Sequence, residues 1–323
     1  MDSIAFGPVP SRRLGQSLGI NNVPPKSCSY SCVYCQVGPT AEPEMELREF
    51  FSPGEVISAV SRQVQALRQR GETIDFLTFV PDGEPTLDRH LGEEIDGLAP
   101  LEIPIAVISN SSLTWREDVR ATVGKADWVS FKVDAIDNDM WRRINRPHQS
   151  LDIEMVLEGI VRFSEEFNGE LVTETMLVRD VNDTDEAAEA LVEFLARVQP
   201  QTAYVAVPTR PPSERWVRPA TEDAVNRVFQ CFAERLPRVE LLTGYEGQAF
   251  GTTGNAVEDL LAITAVHPLR QDAAIALLTR DGADRAVLES LLEDGRVRVA
   301  EYQGRNFYIR RFPAPEEQEG ELS

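Results

Sequence analysis

The sequence predicts an α/β protein: a partial, open barrel of six β/α units over residues 1–245, a small second domain at 250–312 and a disordered acidic tail at 313–323. Three observations predict it. Between about residues 70 and 240, strand-length apolar runs alternate with helical patterns at short intervals, as repeated β/α units and a parallel sheet require. The chain in that stretch is too short for a closed eight-unit barrel. After residue 250 the pattern changes to three short helical segments followed by two strands around a turn.

The first strand is placed around LGINNVP (18–24). The others are IDFLTFV (74–80), IPIAVIS (103–109), DWVSFKV (127–133), LVTETMLV (171–178) and TAYVAVP (202–208). Helix starts are readable between them. Ser52, Pro53 and Glu55 combine an N-cap, a first-turn proline and a capping-box glutamate, and Val56, Val60, Val64 and Leu67 follow on one face. Asp183 and Glu186 repeat the pattern before AAEALVEFLARV.

The segment GQAFGTTGN reads as a linker. AVEDLLAITAVHP, QDAAIALLTR and DRAVLESLLEDG then give three helices, and RVRVAEY and NFYIRRF a hairpin around Gln303, Gly304 and Arg305. That order is winged-helix-like. Nine acidic and eight basic side chains in residues 250–312 favour a lid, docking or dimerisation module over a general DNA binder. Arg296, Arg298, Arg305, Arg310 and Arg311 leave room for an RNA or peptide contact.

The chain has 323 residues and a formal net charge of -21, so nonspecific attraction to nucleic acid is weak unless a local basic face exists. Without an apolar run of membrane-spanning length or an export signal, the expectation is a soluble, cytoplasmic protein with no membrane partner. Of four cysteines, three lie in KSCSYSCVYCQ: Cys28, Cys32 and Cys35. A C-x3-C-x2-C run supplies three thiolates to an iron-sulfur cluster and leaves one iron of a cubane without a protein ligand; zinc or isolated buried thiols are the other readings. Cys231, among Val228, Phe229 and Phe232, reads as a core residue.

C-x3-C-x-Y-C followed about 50 residues later by Asp82-Gly83-Glu84-Pro85-Thr86 resembles the paired motifs of the radical S-adenosylmethionine (SAM) superfamily. FGPVPSRRLGQSLGINNVPPKSCSYSCVYCQVG, ISNSSL, RRINRPH, ETMLVRDVND and PTRPPSERWVRP extend the resemblance across residues 5–240 to the branch holding the archaeal wyosine-forming tRNA enzymes and their bacterial relatives. It implies a TIM-like partial (β/α)6 barrel. It also implies a [4Fe-4S] cluster on Cys28, Cys32 and Cys35 in a loop at 26–38, with SAM chelating the fourth iron and being cleaved to a 5'-deoxyadenosyl radical that abstracts hydrogen from a substrate. Tyr34 would sit beside the adenine, Gly83, Glu84 and Pro85 would present strand-end groups to the methionine, and Asn110 and Ser111 would help hold the cofactor. An electron donor of the flavodoxin or ferredoxin type is implied. The chain departs from the family at Asp82 and Ser111, where glycines are frequent, and it lacks the additional N-terminal cysteines of the archaeal wyosine enzymes.

In WVSFKVD, strand alternation puts Ser130, Lys132 and Asp134 on one face. Ser130 is a candidate for the ribose, and Lys132, Glu174 and Arg210 are candidate catalytic or substrate residues, with a polar filler layer as the structural alternative. Arg12 and Arg13 are placed either in the early loop or along the cofactor approach. The substrate stays open among small molecule, peptide and RNA, and oligomeric state is not readable. Wyosine-like modification of tRNA guanosine and a non-catalytic, nucleic-acid-binding redox sensor are the other functions weighed.

Overall fold

Eight strands lie side by side in sequence order in one sheet. They are β1 (Ala5–Ser11), β2 (Gly15–Ile20), β3 (Phe76–Phe79), β4 (Ile105–Ser109), β5 (Trp128–Lys132), β6 (Glu170–Met176), β7 (Thr202–Ala206) and β8 (Val239–Leu242). β1 runs antiparallel to β2, and every later neighbour pair is parallel. The computed structural model describes residues 4–243, 252, 254–266 and 268–311. The expected linker falls largely outside those residues, and the expected acidic tail at 313–323 wholly so. The sheet is open and curls into a half-barrel: Arg13, in the β1–β2 turn, pairs with Glu174 on β6, and Arg12 NH1 reaches Leu241 O on β8 at 3.4 Å.

The sequence predicts six strands, and the structure adds one at each edge. AFGPVPS carries a glycine and two prolines, which argue against a central strand but are tolerated at an edge where a missing N–H breaks no ladder. VELL is half-exposed and lacks a clear alternation. The first expected strand also shifts: β2 ends at Ile20, and the rest of the apolar run at 18–24 enters the cysteine loop.

Helices α1 (Pro53–Gln69), α2 (Leu91–Leu98), α3 (Glu117–Val123), α4 (Asn138–Ile144), α5 (Ile153–Glu166), α6 (Asp185–Val198) and α7 (Glu222–Ala233) fill the crossovers. In α1, the Glu55 carboxylate accepts from Ser52 N at 2.9 Å and Ser52 Oγ at 2.7 Å, and Val56, Val60, Val64 and Leu67 are buried, as the capping pattern predicts. α6 is capped by Thr184, one residue later than expected. Asp183 instead accepts from Asp180 N at 2.9 Å and closes the preceding turn. The main core joins these helices to one sheet face through Leu77, Phe79, Val129, Phe131 and Val205. The opposite, concave face has a smaller apolar plug of Leu14, Ala106, Trp128, Val172, Tyr204 and Leu242.

The C-terminal segment forms α8 (Ala256–Val266), β9 (Leu269–Arg270), α9 (Gln271–Arg280), α10 (Arg285–Glu293), β10 (Val297–Tyr302) and β11 (Arg305–Arg310). Its core is separate, centred on Leu260, Ile263, Leu277, Leu288 and Val297. The three helices and hairpin match the sequence pattern; β9, two residues long, is additional. Gln303 and Gly304 both have positive φ, 51° and 69°, the two-residue turn geometry that matches strand twist. This unit meets the barrel through Ala262 against Phe6, a two-pronged Arg280–Glu72 ion pair at 2.8 Å, and a Tyr302 hydroxyl donating to Pro208 O at 3.0 Å. Among the described residues, no helix is long and apolar enough to cross a membrane.

Candidate functional site

The cysteine loop leaves β2 and is held from two sides by backbone. On one side, Lys26 N donates to Asp82 O at 2.9 Å and Glu84 N donates to Ser27 O at 2.8 Å. Gly83 sits between them, and a Cβ there would lie 2.0 Å from Ser27 O. Only a residue without a side chain lets the β3 end come this close. On the other side, the segment after α4 binds the loop: Val33 N donates to Ile144 O at 2.9 Å, Ser31 N to Asn145 O at 3.0 Å, and His148 N to Ser29 O at 2.9 Å. Trp141 Nε1 adds a bond to the Tyr30 hydroxyl at 3.2 Å. The DGEPT and RRINRPH runs, far apart in sequence, are two walls of one cradle.

Cys28 and Cys32 each face a side-chain amide. Asn110 Nδ2 lies 3.5 Å from Cys28 Sγ, and Asn145 Nδ2 lies 3.5 Å from Cys32 Sγ. Burial pushes the Cys28 thiol well up and the Cys32 thiol up to about 12. Soft sulfur donors that burial keeps from ionising alone, yet that meet N–H donors, are matched to a positively charged metal group that takes up their charge. Among the described residues no three His, Cys, Asp or Glu side chains converge as a single ion needs. Three soft thiols on one loop, two of them with a side-chain amide N–H beside the sulfur, are the kind of donor set that an iron-sulfur cluster takes. Cys231, on α7, packs beside the main core, and burial raises its thiol to about 11.

The strand ends above the loop are tied by Glu84. Its carboxylate is buried and accepts from Thr86 N at 3.1 Å, Thr86 Oγ1 at 2.7 Å, Ser109 Oγ at 2.7 Å and Asn110 N at 2.7 Å. Burial raises its pKa, and these donors pull the other way. The sequence reading gives this segment a role through its backbone; the structure shows that the Glu84 side chain also fastens β3 to β4. Ser111 has φ 65°, the left-handed region where glycine is usual, and its hydroxyl donates to Asn110 O at 2.6 Å and Lys132 O at 2.9 Å. Those bonds account for a serine at a strained position.

Inside the half-barrel a polar layer overlies the apolar plug. Lys132 Nζ donates to Glu174 Oε1 at 2.7 Å, and Arg13 NH1 pairs with Glu174 Oε2. Burial works against the Glu174 charge, but the Lys132 and Arg13 cations outweigh it and hold the carboxyl down to about 2. Burial likewise works against the Lys132 ammonium, and Glu174 and Asp134 outweigh it, so its pKa is raised. The ammonium also lies 5.0 Å from the Tyr34 ring centroid. Ser130 Oγ is buried without a hydrogen-bond partner among the described residues.

The structure thus brings Lys132, Glu174, Ser130 and Tyr34 into one concave layer beside the cysteine loop. Asn110 faces the loop, with its Nδ2 also 2.9 Å from Ser29 Oγ, and Pro85 O accepts from Asn22 Nδ2 at 3.1 Å. Arg210 NH1 donates to Gln36 Oε1 at 2.9 Å, next to Cys35. Sequence reasoning missed the role of Asp134 and Asn145. Asp134 Oδ2 accepts from the Tyr34 hydroxyl and from Asn145 Nδ2 at 2.7 Å, while its Oδ1 accepts from Met176 N at 2.8 Å. The inward alternation of WVSFKVD and the asparagine of RRINRPH are the signals that point to them.

Comparison with known proteins gives the same picture. The Radical SAM superfamily model matches residues 22–195. A UPF0026 protein of Methanocaldococcus jannaschii is 44% identical over 95% of this chain and 96% of its own length. A UPF0026 protein of Helicobacter pylori is 31% identical over 94% of this chain and 97% of its own. The structure of TYW1 with a lysine-pyruvate adduct bound matches with a TM-score of 0.52 at 19% identity, covering 68% of this chain and 74% of that one, and speaks for the fold alone.

Proposed function

The chain belongs to the radical SAM superfamily, in its UPF0026 branch, and is an enzyme of that class; on this footing we propose that Cys28, Cys32 and Cys35 hold a [4Fe-4S] cluster and that a substrate is activated inside the half-barrel. When bound, a cluster with one iron free of protein ligands passes an electron to the SAM sulfonium, breaking a carbon-sulfur bond to give methionine and a 5'-deoxyadenosyl radical that abstracts hydrogen from the substrate. The single observation that carries the proposal is the double backbone clamp on the cysteine loop, by Asp82 to Glu84 and by Ile144 to His148.

The chain's own residues position and enclose. Asn110 and Asn145 direct N–H groups at the sulfurs of Cys28 and Cys32. Gly83 and Pro85 keep the end of β3 against the loop, where backbone groups are available to the methionine part of SAM. Ser130 offers an unused buried hydroxyl to a ribose, and Tyr34, fixed by Asp134, gives the adenine a ring edge. The apolar plug under Lys132 and Glu174 excludes water from the base of the site, which a reactive radical requires.

The electron arrives from a flavodoxin or ferredoxin-type donor. Support comes from a groove of about 510 Å3 whose lining includes Cys35, with Arg215 and Arg298 against the one acid Glu301, a cationic balance suited to an acidic carrier. The C-terminal unit, read as winged-helix-like, borders that groove with β10 and acts as a docking module. Wyosine-type chemistry on a carbonyl substrate needs a neutral amine for imine formation: Lys132 is stabilised as its ammonium by Glu174, whereas burial lowers the pKa of Lys26 in the cysteine loop, which makes Lys26 the better-suited amine for that second reading.

The test is anaerobic reconstitution followed by addition of a reductant and SAM. Wild-type protein should form 5'-deoxyadenosine, and Cys28→Ala, Cys32→Ala and Cys35→Ala should not. A fully iron-loaded sample that leaves SAM intact contradicts the proposal.

A further inference from the structure

We infer that Lys26 is a positioning residue of the cysteine loop: it clasps the two ends of the loop, and its charge, set against that of Asp82, tunes the cluster held there. The inference rests on the [4Fe-4S] reading above and goes beyond it to a residue outside the ligand set.

Lys26 occupies a turn position that favours another residue. Ser27 N donates to Pro24 O at 3.2 Å, Pro25 stands at the first central position, and Lys26 at the second has φ 71°. That is the pattern of a type II turn, whose second central residue is ordinarily glycine or asparagine. The conformation is costly for lysine, so the turn alone does not account for it.

The side chain does. From the start of the loop, Lys26 Nζ donates to Val37 O at its far end, and a Cβ on Gly38 would lie 3.3 Å from Nζ. Gly38 N bonds in turn to Cys35 O at 3.2 Å, while Lys26 N donates to Asp82 O at 2.9 Å. One residue thus joins both ends of the loop to the end of β3. Val37 is two residues beyond Cys35, so their Cα atoms are at most about 7.6 Å apart, and the ammonium stands beside the Cys35 corner. Cys28 and Cys32 each face an asparagine amide; the neighbour of Cys35 is this cation.

Burial is the largest influence on the Lys26 charge and works against it; Cys35, Asp82 and Cys28 then favour it, and Arg298 of β10 opposes it. A thiolate-bound cubane becomes more negative on reduction, so a nearby cation favours the reduced state and a nearby carboxylate the oxidised one. Lys26 therefore offsets Asp82. Removing the lysine changes the local charge by one unit whatever else surrounds it. A unit charge about 10 Å away, acting through an effective dielectric of about 20, moves a one-electron equilibrium by about tenfold.

The test is an electrochemical titration of the anaerobically reconstituted full chain without SAM, followed by electron paramagnetic resonance, with iron content measured for each variant. K26G, which gives the turn its favoured residue but no charge, should shift the reduction equilibrium by about tenfold or more toward the oxidised cluster, which is about 59 mV for a one-electron couple. K26R, which keeps the charge and forms no imine, should stay within about threefold of wild type. D82N should move the equilibrium the opposite way, and K26G/D82N should return to within about threefold of wild type. If K26G does not hold the cluster, K26R and D82N carry the comparison. A K26G potential at or above wild type, K26R about tenfold or more below wild type, D82N at or below wild type, or a double variant as low as K26G overturns the inference. Wild-type protein that takes up no iron would end the cluster reading and this inference with it, whereas loaded wild type with unshifted variants ends this inference alone.

Discussion

Lys132 Nζ stands 2.7 Å from Glu174 Oε1, so the last residue of β5 and the middle of β6 meet as an ion pair inside the half-barrel. Arg13 closes on the other carboxylate oxygen from a turn 161 residues away in sequence. One buried anion on β6 therefore organises two cations, one from β5 and one from the β1–β2 turn.

Glu174→Gln should destabilise the fold by about 3–5 kcal/mol at pH 7, because it leaves two cations buried without their counter-charge. Urea unfolding measures this. The pH dependence has a definite sign. Glu174 is held to about 2 in the folded protein against an ordinary 4.5, so its contribution is full above about pH 4.5 and is lost as pH falls toward 2. The variant should lack that part of the acid limb.

Glu94 on α2 should behave in the opposite sense. Burial first, and the neighbouring Asp88 charge second, push its carboxyl up to about 9 from 4.5. An acid with a raised folded pKa contributes fully below the unfolded value and costs stability as pH rises from about 4.5 toward 9. Glu94→Gln keeps the neutral form and should gain on the order of 1–3 kcal/mol at pH 8 relative to wild type. Urea midpoints at pH 5 and pH 8 should show the gain at the higher pH.

Gly83→Ala places a methyl 2.0 Å from Ser27 O, so the cysteine loop must move off β3. Iron and sulfide content after reconstitution should fall well below wild type. Gly54→Ala, which meets nothing within 4 Å, should load normally and serves as the control.

Asn145→Ala removes the amide facing Cys32 Sγ and one of two donors to Asp134 Oδ2. Hydrogen bonds to cluster sulfurs favour the reduced state. The variant should therefore show a more negative cluster potential in an electrochemical titration, with cysteine ligation retained.

Local signals made much of this site legible in sequence. Cys28, Cys32 and Cys35 lie within eight residues, and strand alternation alone puts Ser130 and Lys132 on one face. The α1 cap is likewise readable because Ser52 and Glu55 act within one turn. What sequence does not show is reach. Arg13 meets Glu174 only because the sheet curls, and Asn145 meets Cys32 only because α4 returns the chain to the loop. The edge strands β1 and β8 escape detection for a different reason: with one side unpaired, they tolerate prolines and exposed residues that a central strand rejects.

The most direct measurement is the electron paramagnetic resonance spectrum of the reduced, anaerobically reconstituted protein with and without SAM. The account predicts about four irons per chain by the stoichiometry of a cubane and a signal whose g-values shift when SAM is added, because SAM occupies the iron that Cys28, Cys32 and Cys35 leave open. A fully loaded cluster with a spectrum unchanged by saturating SAM, or a protein that takes up one zinc in place of iron, would contradict it.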